Sequence, residues 1–187
     1  MPNPTTRERM VSAAMTLFRR EGYTATSWRR LVDEAGTPWG SAYHHFPGGK
    51  EQLAVAAIGL AVDTTLATVD RAFERGETAE DAVRWWYRKA GQALAAGDYR
   101  SGCPLATLAL EVVNDSPVLT EACRAGFDRW HETLTGHLTA RGCEPAAELA
   151  TAIVTNIEGA LLLSRVRRSA EPLDLAADHV ATLLRAA

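Results

Sequence analysis

The chain has 187 residues, 47% hydrophobic and 23% charged, with a formal net charge of −3 at pH 7. That suffices for a sizeable core in one ordinary domain, or in a small domain fused to a larger one. No uninterrupted apolar run approaches the roughly 18 residues of a membrane span, and Arg7, Glu8 and Arg9 stand where a secretion signal needs its apolar centre, so a cytoplasmic protein with no membrane partner is expected.

Strand-like alternation is almost absent, and apolar residues recur every three or four positions, which predicts an all-α chain of about nine helices. The first runs from Thr6 to Glu21, with Met10, Ala14, Leu17 and Phe18 on one face and Gly22 as its stop. Ser27 caps a short second helix, Trp28 to Ala35, whose inward face is Trp28, Leu31, Val32 and Ala35. Gly36 turns the chain, Thr37 caps a third helix, and Pro38 takes its first position, where a missing N–H costs nothing. That helix reaches His45, Pro47-Gly48-Gly49 breaks it, and a fourth runs from Lys50 towards Glu74. Further helices follow from a Thr78–Asp81 cap to Ala96, from Pro104 to Val113, from an Asn114–Pro117 turn to Ala140, from Pro145 to Arg168, and from Pro172 nearly to the end.

A short helix, a glycine turn and another short helix form a helix-turn-helix, whose second helix can lie in the DNA major groove. Charge agrees: residues 1–60 carry a net +2 and the remainder −5. The candidate DNA-binding residues are Ser27, Thr37, Pro38, Trp39, Ser41, Tyr43, His44 and Lys50. Thr37 and Ser41 can hydrogen-bond a base or phosphate, and Pro38 and Trp39 offer apolar contact, for example to a thymine methyl. Tyr43 and His44 reach towards phosphate oxygens, and Lys50 sits at a helix start suited to an anion. Helical hairpins with a glycine turn also occur in ordinary bundles, and Lys50 could simply be a solvated helix start. A metal site at His44 and His45 is disfavoured, because adjacent helical residues point about 100° apart. Pro-Gly-Gly-Lys lacks the P-loop spacing and follows no strand. No cofactor or metal motif appears, nor any GxSxG, HExxH or usefully spaced Cys–His arrangement, so an enzyme is not expected.

Phe18, Gly22, Tyr23, Thr26 and Ser27, followed by Ala35, Gly36, Gly40, Tyr43, His45, Phe46, Lys50 and Leu53, make a long string of fixed spacing over the first 60 residues. It resembles the amino-terminal signature of TetR-type transcriptional repressors. FPGGKEQLAVAAI and GCPLATLALE are similar to the LmrA/YxaF-like branch, whose members respond to drugs or plant-type aromatics. The resemblance implies a helix-turn-helix head over residues 1–50, a linking helix at about 50–75, and a helical ligand-binding and dimerisation domain over 51–187. It also implies a homodimer on a palindromic double-stranded DNA operator, released by a small, hydrophobic or aromatic effector, with the fourth helix transmitting the change. Thr37, Trp39 and Ala42 depart from the family pattern, so the operator sequence does not carry over.

In the body, Trp85, Trp86, Cys103, Leu108, Phe127 and Trp130 are candidates to line an effector cavity, although each ring could equally be ordinary core. Asn156 and Glu158, isolated in an apolar helix, are candidates for its polar groups. Ile153, Ile157, Leu161, Val180 and Leu184, on the last two helices, are the expected dimer contacts. Cys103, Cys123 and Cys143 are too few and too far apart for a disulfide framework. They leave open a redox-sensing regulator built on the same head, if one of them has a lowered pKa and is exposed.

Overall fold

In the computed structural model, residues 3–187 are described. Thr5 opens α1 (Thr6–Glu21) with a reciprocal cap: its hydroxyl accepts from the Glu8 N–H at 3.2 Å, and its own N–H donates to the Glu8 carboxylate at 2.7 Å. Gly22 ends the helix at φ +85°, ψ 169°, a region only glycine occupies readily. Ser27 opens α2 (Trp28–Glu34), its hydroxyl accepting from the Arg30 N–H at 3.1 Å. Gly36, at φ +56°, turns the chain into α3 (Trp39–His45).

This last start corrects the expectation from sequence. Pro38, not Thr37, is the residue before the helix, and it offers no side-chain cap. Thr37 lies outside α3 and is 7% exposed, with its hydroxyl donating to the Ala35 carbonyl at 3.3 Å.

The remaining helices are α4 (Gly49–Arg75), α5 (Ala79–Ala96), α6 (Pro104–Val112), α7 (Pro117–Thr139), α8 (Ala146–Arg167) and α9 (Glu171–Arg185). Among the described residues there are nine helices and no strand, so the fold is all-α. Thr78 caps α5 by accepting from the Asp81 N–H at 3.1 Å, and Ser116 caps α7 by accepting from the Leu119 N–H at 3.1 Å. α4 and α8 are long and apolar enough, by length and composition, to cross a membrane. An uninterrupted-run criterion missed this because isolated polar residues such as Asp63 and Glu158 break the runs without lowering the average much. Core helices of soluble proteins share the same property.

Two compact units partition the chain. The first runs to Asp63 and takes in Pro104–Gly126; the second comprises Thr64–Cys103 and Phe127–Ala187. In the first, Leu17, Phe18, Leu31, Ala42 and Phe46 are fully buried or nearly so, and α6 packs against α1. In the second, α5, α8 and α9 pack together. Tyr87 donates to the Ile153 carbonyl at 2.8 Å, and Arg84 pairs with Asp178 at 3.0 Å.

That second core corrects the expected dimer contacts. Ile153, Ile157, Val180 and Leu184 are each at most 4% exposed and belong to the chain's own core. Leu161 packs half-buried against the same cluster. Helical periodicity marks an apolar face but not which helix covers it. Here α5 does much of the covering. The apolar side chains left outward are Leu162, Leu163 and Val166 on α8, and Leu175 and Leu183 on α9.

Candidate nucleic-acid interface

α3 is held from beneath and open above. Ala42 and Phe46 are buried, whereas Trp39 and Tyr43, on the outer face, are 45% and 50% exposed. Pro38 and His44 are exposed and Ser41 is half-buried. His44 and His45 meet edge to face at 5.3 Å, and among the described residues no third metal ligand joins them. Of the residues expected at this surface, Pro38, Trp39, Ser41, Tyr43 and His44 are brought together on α3 and its start, and Ser27 lies exposed at the start of α2. Thr37 is withdrawn, because its hydroxyl is buried on Ala35.

Lys50 is also differently placed than expected. Its ammonium lies 4.1 Å from the Tyr23 ring centre. Burial lowers its pKa, and the nearby Glu111 carboxylate opposes that shift. The start of α4 is partly occupied too: the Gly48 N–H donates to Gln52 Oε1 at 2.9 Å, and the Gly49 N–H to the Phe46 carbonyl at 2.9 Å. Lys50 therefore braces the α1–α2 turn.

Two features of this surface escaped the sequence. Trp28, read as core, is only half-buried, with its ring against Tyr43 at 5.3 Å. Arg29, beside it, is exposed, while Arg30 is engaged by Glu34 at 2.8 Å and Glu21 at 3.4 Å.

The turn feeding α2 is fixed by a distant residue. Glu111 on α6 accepts from the Tyr23 N–H at 3.1 Å and the Thr24 N–H at 2.7 Å. A Cβ at Gly22 would come within 2.2 Å of Glu111 Oε1. The glycine thus both adopts the turn conformation and admits the carboxylate. Thr26, fully buried, closes the same turn by donating to the Gly22 carbonyl at 2.6 Å. The signal for Glu111 was its isolation as the single charge in PLATLALEV.

The expected effector residues are scattered more widely. Trp86 and Trp130 are buried, Phe127 is half-buried with its ring 5.7 Å from Trp130, and Cys103 is buried. Trp85 packs half-buried against the second core, with Arg75 at 5.7 Å and Lys89 at 5.6 Å from its ring. Leu108 is in the core of the first unit, whereas the others belong to the second. Asn156 is tied to its own helix, donating to the Ala152 carbonyl at 2.8 Å. Burial raises the pKa of Glu158, opposed by a hydrogen bond with Cys103. Glu158 Oε1 and Trp130 Nε1 are buried without a hydrogen-bond partner. For the thiols, burial pushes Cys123 up to about 11 and raises Cys143, the wrong direction for a reactive thiolate.

Family models match both parts of the chain: bacterial regulatory proteins, tetR family, over residues 10–57, and transcriptional regulator LmrA/YxaF-like, C-terminal domain, over residues 79–179. The chain belongs to the TetR family of transcriptional regulators. This TetR-family regulator is 39% identical to an HTH-type transcriptional regulator of Mycobacterium tuberculosis (strain CDC 1551 / Oshkosh), over 96% of this chain and 94% of the relative. It is 31% identical to the HTH-type transcriptional regulator LmrA of Bacillus subtilis (strain 168), over 89% and 90% of the two chains. Its fold is that of a TetR transcriptional regulator from Legionella pneumophila, with a TM-score of 0.85 at 23% identity, covering 98% of this chain and 100% of the other. The family and these relatives are DNA-binding regulators, not enzymes.

Proposed function

We propose that this TetR-family regulator is a cytoplasmic repressor that binds a palindromic operator as a homodimer and leaves it when a small hydrophobic or aromatic effector binds. The observation that carries the DNA half is the division of α3: Ala42 and Phe46 anchor it, while Trp39 and Tyr43 stand half-exposed on the other side. A short helix held so rigidly can present its tip to base edges. Ser27, Pro38 and His44 are exposed and Ser41 is half-exposed on the same helix-turn-helix, and Arg29 supplies a cation for the phosphate backbone. A second copy would cover Leu162, Leu163 and Val166 with Leu175 and Leu183, because outward apolar side chains on neighbouring helices favour burial against their like.

For the effector, Glu158 Oε1 and Trp130 Nε1 supply an unsatisfied acceptor and an unsatisfied donor within the largely apolar second unit. Such groups fix a ligand's orientation in an apolar cavity. The effector shifts the population towards a conformer that binds DNA poorly, and only its differential affinity, typically about 1–3 kcal/mol, drives that shift.

Selection from random duplexes at stated salt tests the proposal. The expected consensus is an inverted repeat with half-site centres about one helical turn, or a multiple of it, apart. A pool that never converges, or that yields single non-repeated sites, contradicts it.

A further inference from the structure

The outer face of the head carries a chain of three aromatic rings. Tyr43 lies between the other two: 5.3 Å from Trp28 at an interplanar angle of 45°, and 6.3 Å from Trp39 at 35°. Both separations fall in the range where tilted aromatic pairs attract beyond simple area burial. Trp28 is the inner end, with its indole Nε1 turned into the fold and buried. Trp39 is the outer end.

The composition of α3 says what such a surface can recognise. Trp39–His45 reads WGSAYHH. It contains no Arg or Lys, the side chains that pair bidentately with guanine, and no Asn or Gln, which pair bidentately with adenine. Ser41 hydrogen-bonds without strong preference. His44 is exposed but lies in the last turn of α3. What remains towards the start of the helix is aromatic surface, and the base feature read by apolar contact in the major groove is the C5-methyl of thymine.

We propose that Trp28, Tyr43 and Trp39 form one aromatic ladder whose exposed end reads thymine methyls, with Trp28 as the positioning residue that holds Tyr43, and through it Trp39, in place. This rests on the assignment of α3 as the groove-reading helix. An unsupported indole at the tip of a seven-residue helix would exchange rotamers freely. Packed at a tilt against Tyr43, which is itself backed by Trp28, it presents one face in a defined orientation.

The test replaces thymidines of the selected operator, one position at a time and in both half-sites, with deoxyuridine, which lacks only the methyl. Affinity is followed by fluorescence anisotropy at constant salt. At one or two positions per half-site the wild-type protein is expected to lose about fourfold per methyl, the worth of one buried methylene-sized group, hence roughly 15-fold for a symmetric pair. Trp39→Ala is expected to bind thymine and uracil duplexes equally. Trp28→Leu, which keeps bulk but removes the ring, is expected to lose most of the discrimination, and Trp28→Phe to restore it. Equal wild-type affinity for thymine and uracil at every position overturns the proposal without needing any variant to fold. A folded Trp28→Leu with the full wild-type ratio overturns the positioning role. Failure of the groove-reading assignment looks different: no duplex is preferred, methylated or not.

Discussion

The Glu111 latch makes a quantitative prediction that a double-mutant cycle can check. The carboxylate accepts two backbone N–H groups, Tyr23 at 3.1 Å and Thr24 at 2.7 Å. Hydrogen bonds to charged groups contribute about 1.5–3 kcal/mol when sheltered. The bond to Thr24 is exposed, so water replaces much of it, and Glu111→Ala is expected to cost about 1.5–2.5 kcal/mol for both together. Gly22→Ala has two separate costs. Its φ of +85° with ψ of 169° strains any other residue by about 1–3 kcal/mol. In addition, the new Cβ, 2.2 Å from Glu111 Oε1, expels the carboxylate and forfeits the latch. Gly22→Ala alone therefore costs about 2.5–5.5 kcal/mol, but only the strain of about 1–3 kcal/mol once Glu111 is alanine. The pair couples by the latch energy, about 1.5–2.5 kcal/mol, read from urea unfolding of the four proteins. Amide exchange at Tyr23 and Thr24 is expected to quicken in Glu111→Ala. If the two substitutions add within about 0.5 kcal/mol, the latch does not exist as described.

Other consequences follow from groups outside the latch. Glu158 has its pKa raised by burial, so the folded state holds that proton more tightly than the unfolded chain, and stability is lost as pH rises above the usual carboxyl range. Glu158→Gln is expected to melt higher than wild type at pH 8, with the gap shrinking towards pH 5; a gap that is constant or grows on acidification refutes this. With its pKa pushed to about 11 and its side chain buried, Cys123 is expected to resist iodoacetamide at pH 7.5 until denaturant is added. Rapid labelling of the native protein, followed by mass spectrometry, would revive the redox-sensing alternative. Leu162→Asp with Val166→Asp is expected to yield a folded monomer by light scattering, whereas an unchanged dimer places the interface elsewhere. Tyr87→Phe removes the bond to the Ile153 carbonyl and is expected to cost about 1 kcal/mol in urea unfolding.

Local chemistry made most of the helices readable. Ser27, Thr78 and Ser116 cap as their sequence contexts indicate, and Gly22, Gly36 and Gly142 take the positive φ their positions require. Thr37 shows the limit: a threonine before a short helix looks like a cap, yet its hydroxyl turns back to Ala35 and the side chain is buried. The surroundings of Trp28 and Lys50 were not legible because ring contacts join residues far apart in number, Trp28 to Tyr43 and Lys50 to Tyr23. Glu111 reaches a turn 87 and 88 residues away, which no local pattern encodes. Ile153, Ile157, Val180 and Leu184 were correctly seen as apolar faces, but periodicity does not reveal whether such a face meets its own chain or another.

Recognition of a specific operator by this protein requires α3 to be the part that touches bases. Photo-crosslinking with a selected operator carrying 5-iododeoxyuridine in place of single thymidines tests this directly, with the attached peptides identified by mass spectrometry. Crosslinks are expected at Trp39 and Tyr43, changing with the position of the iodinated base. Crosslinks confined to α5, α8 or α9, or scattered without regard to that position, would contradict it.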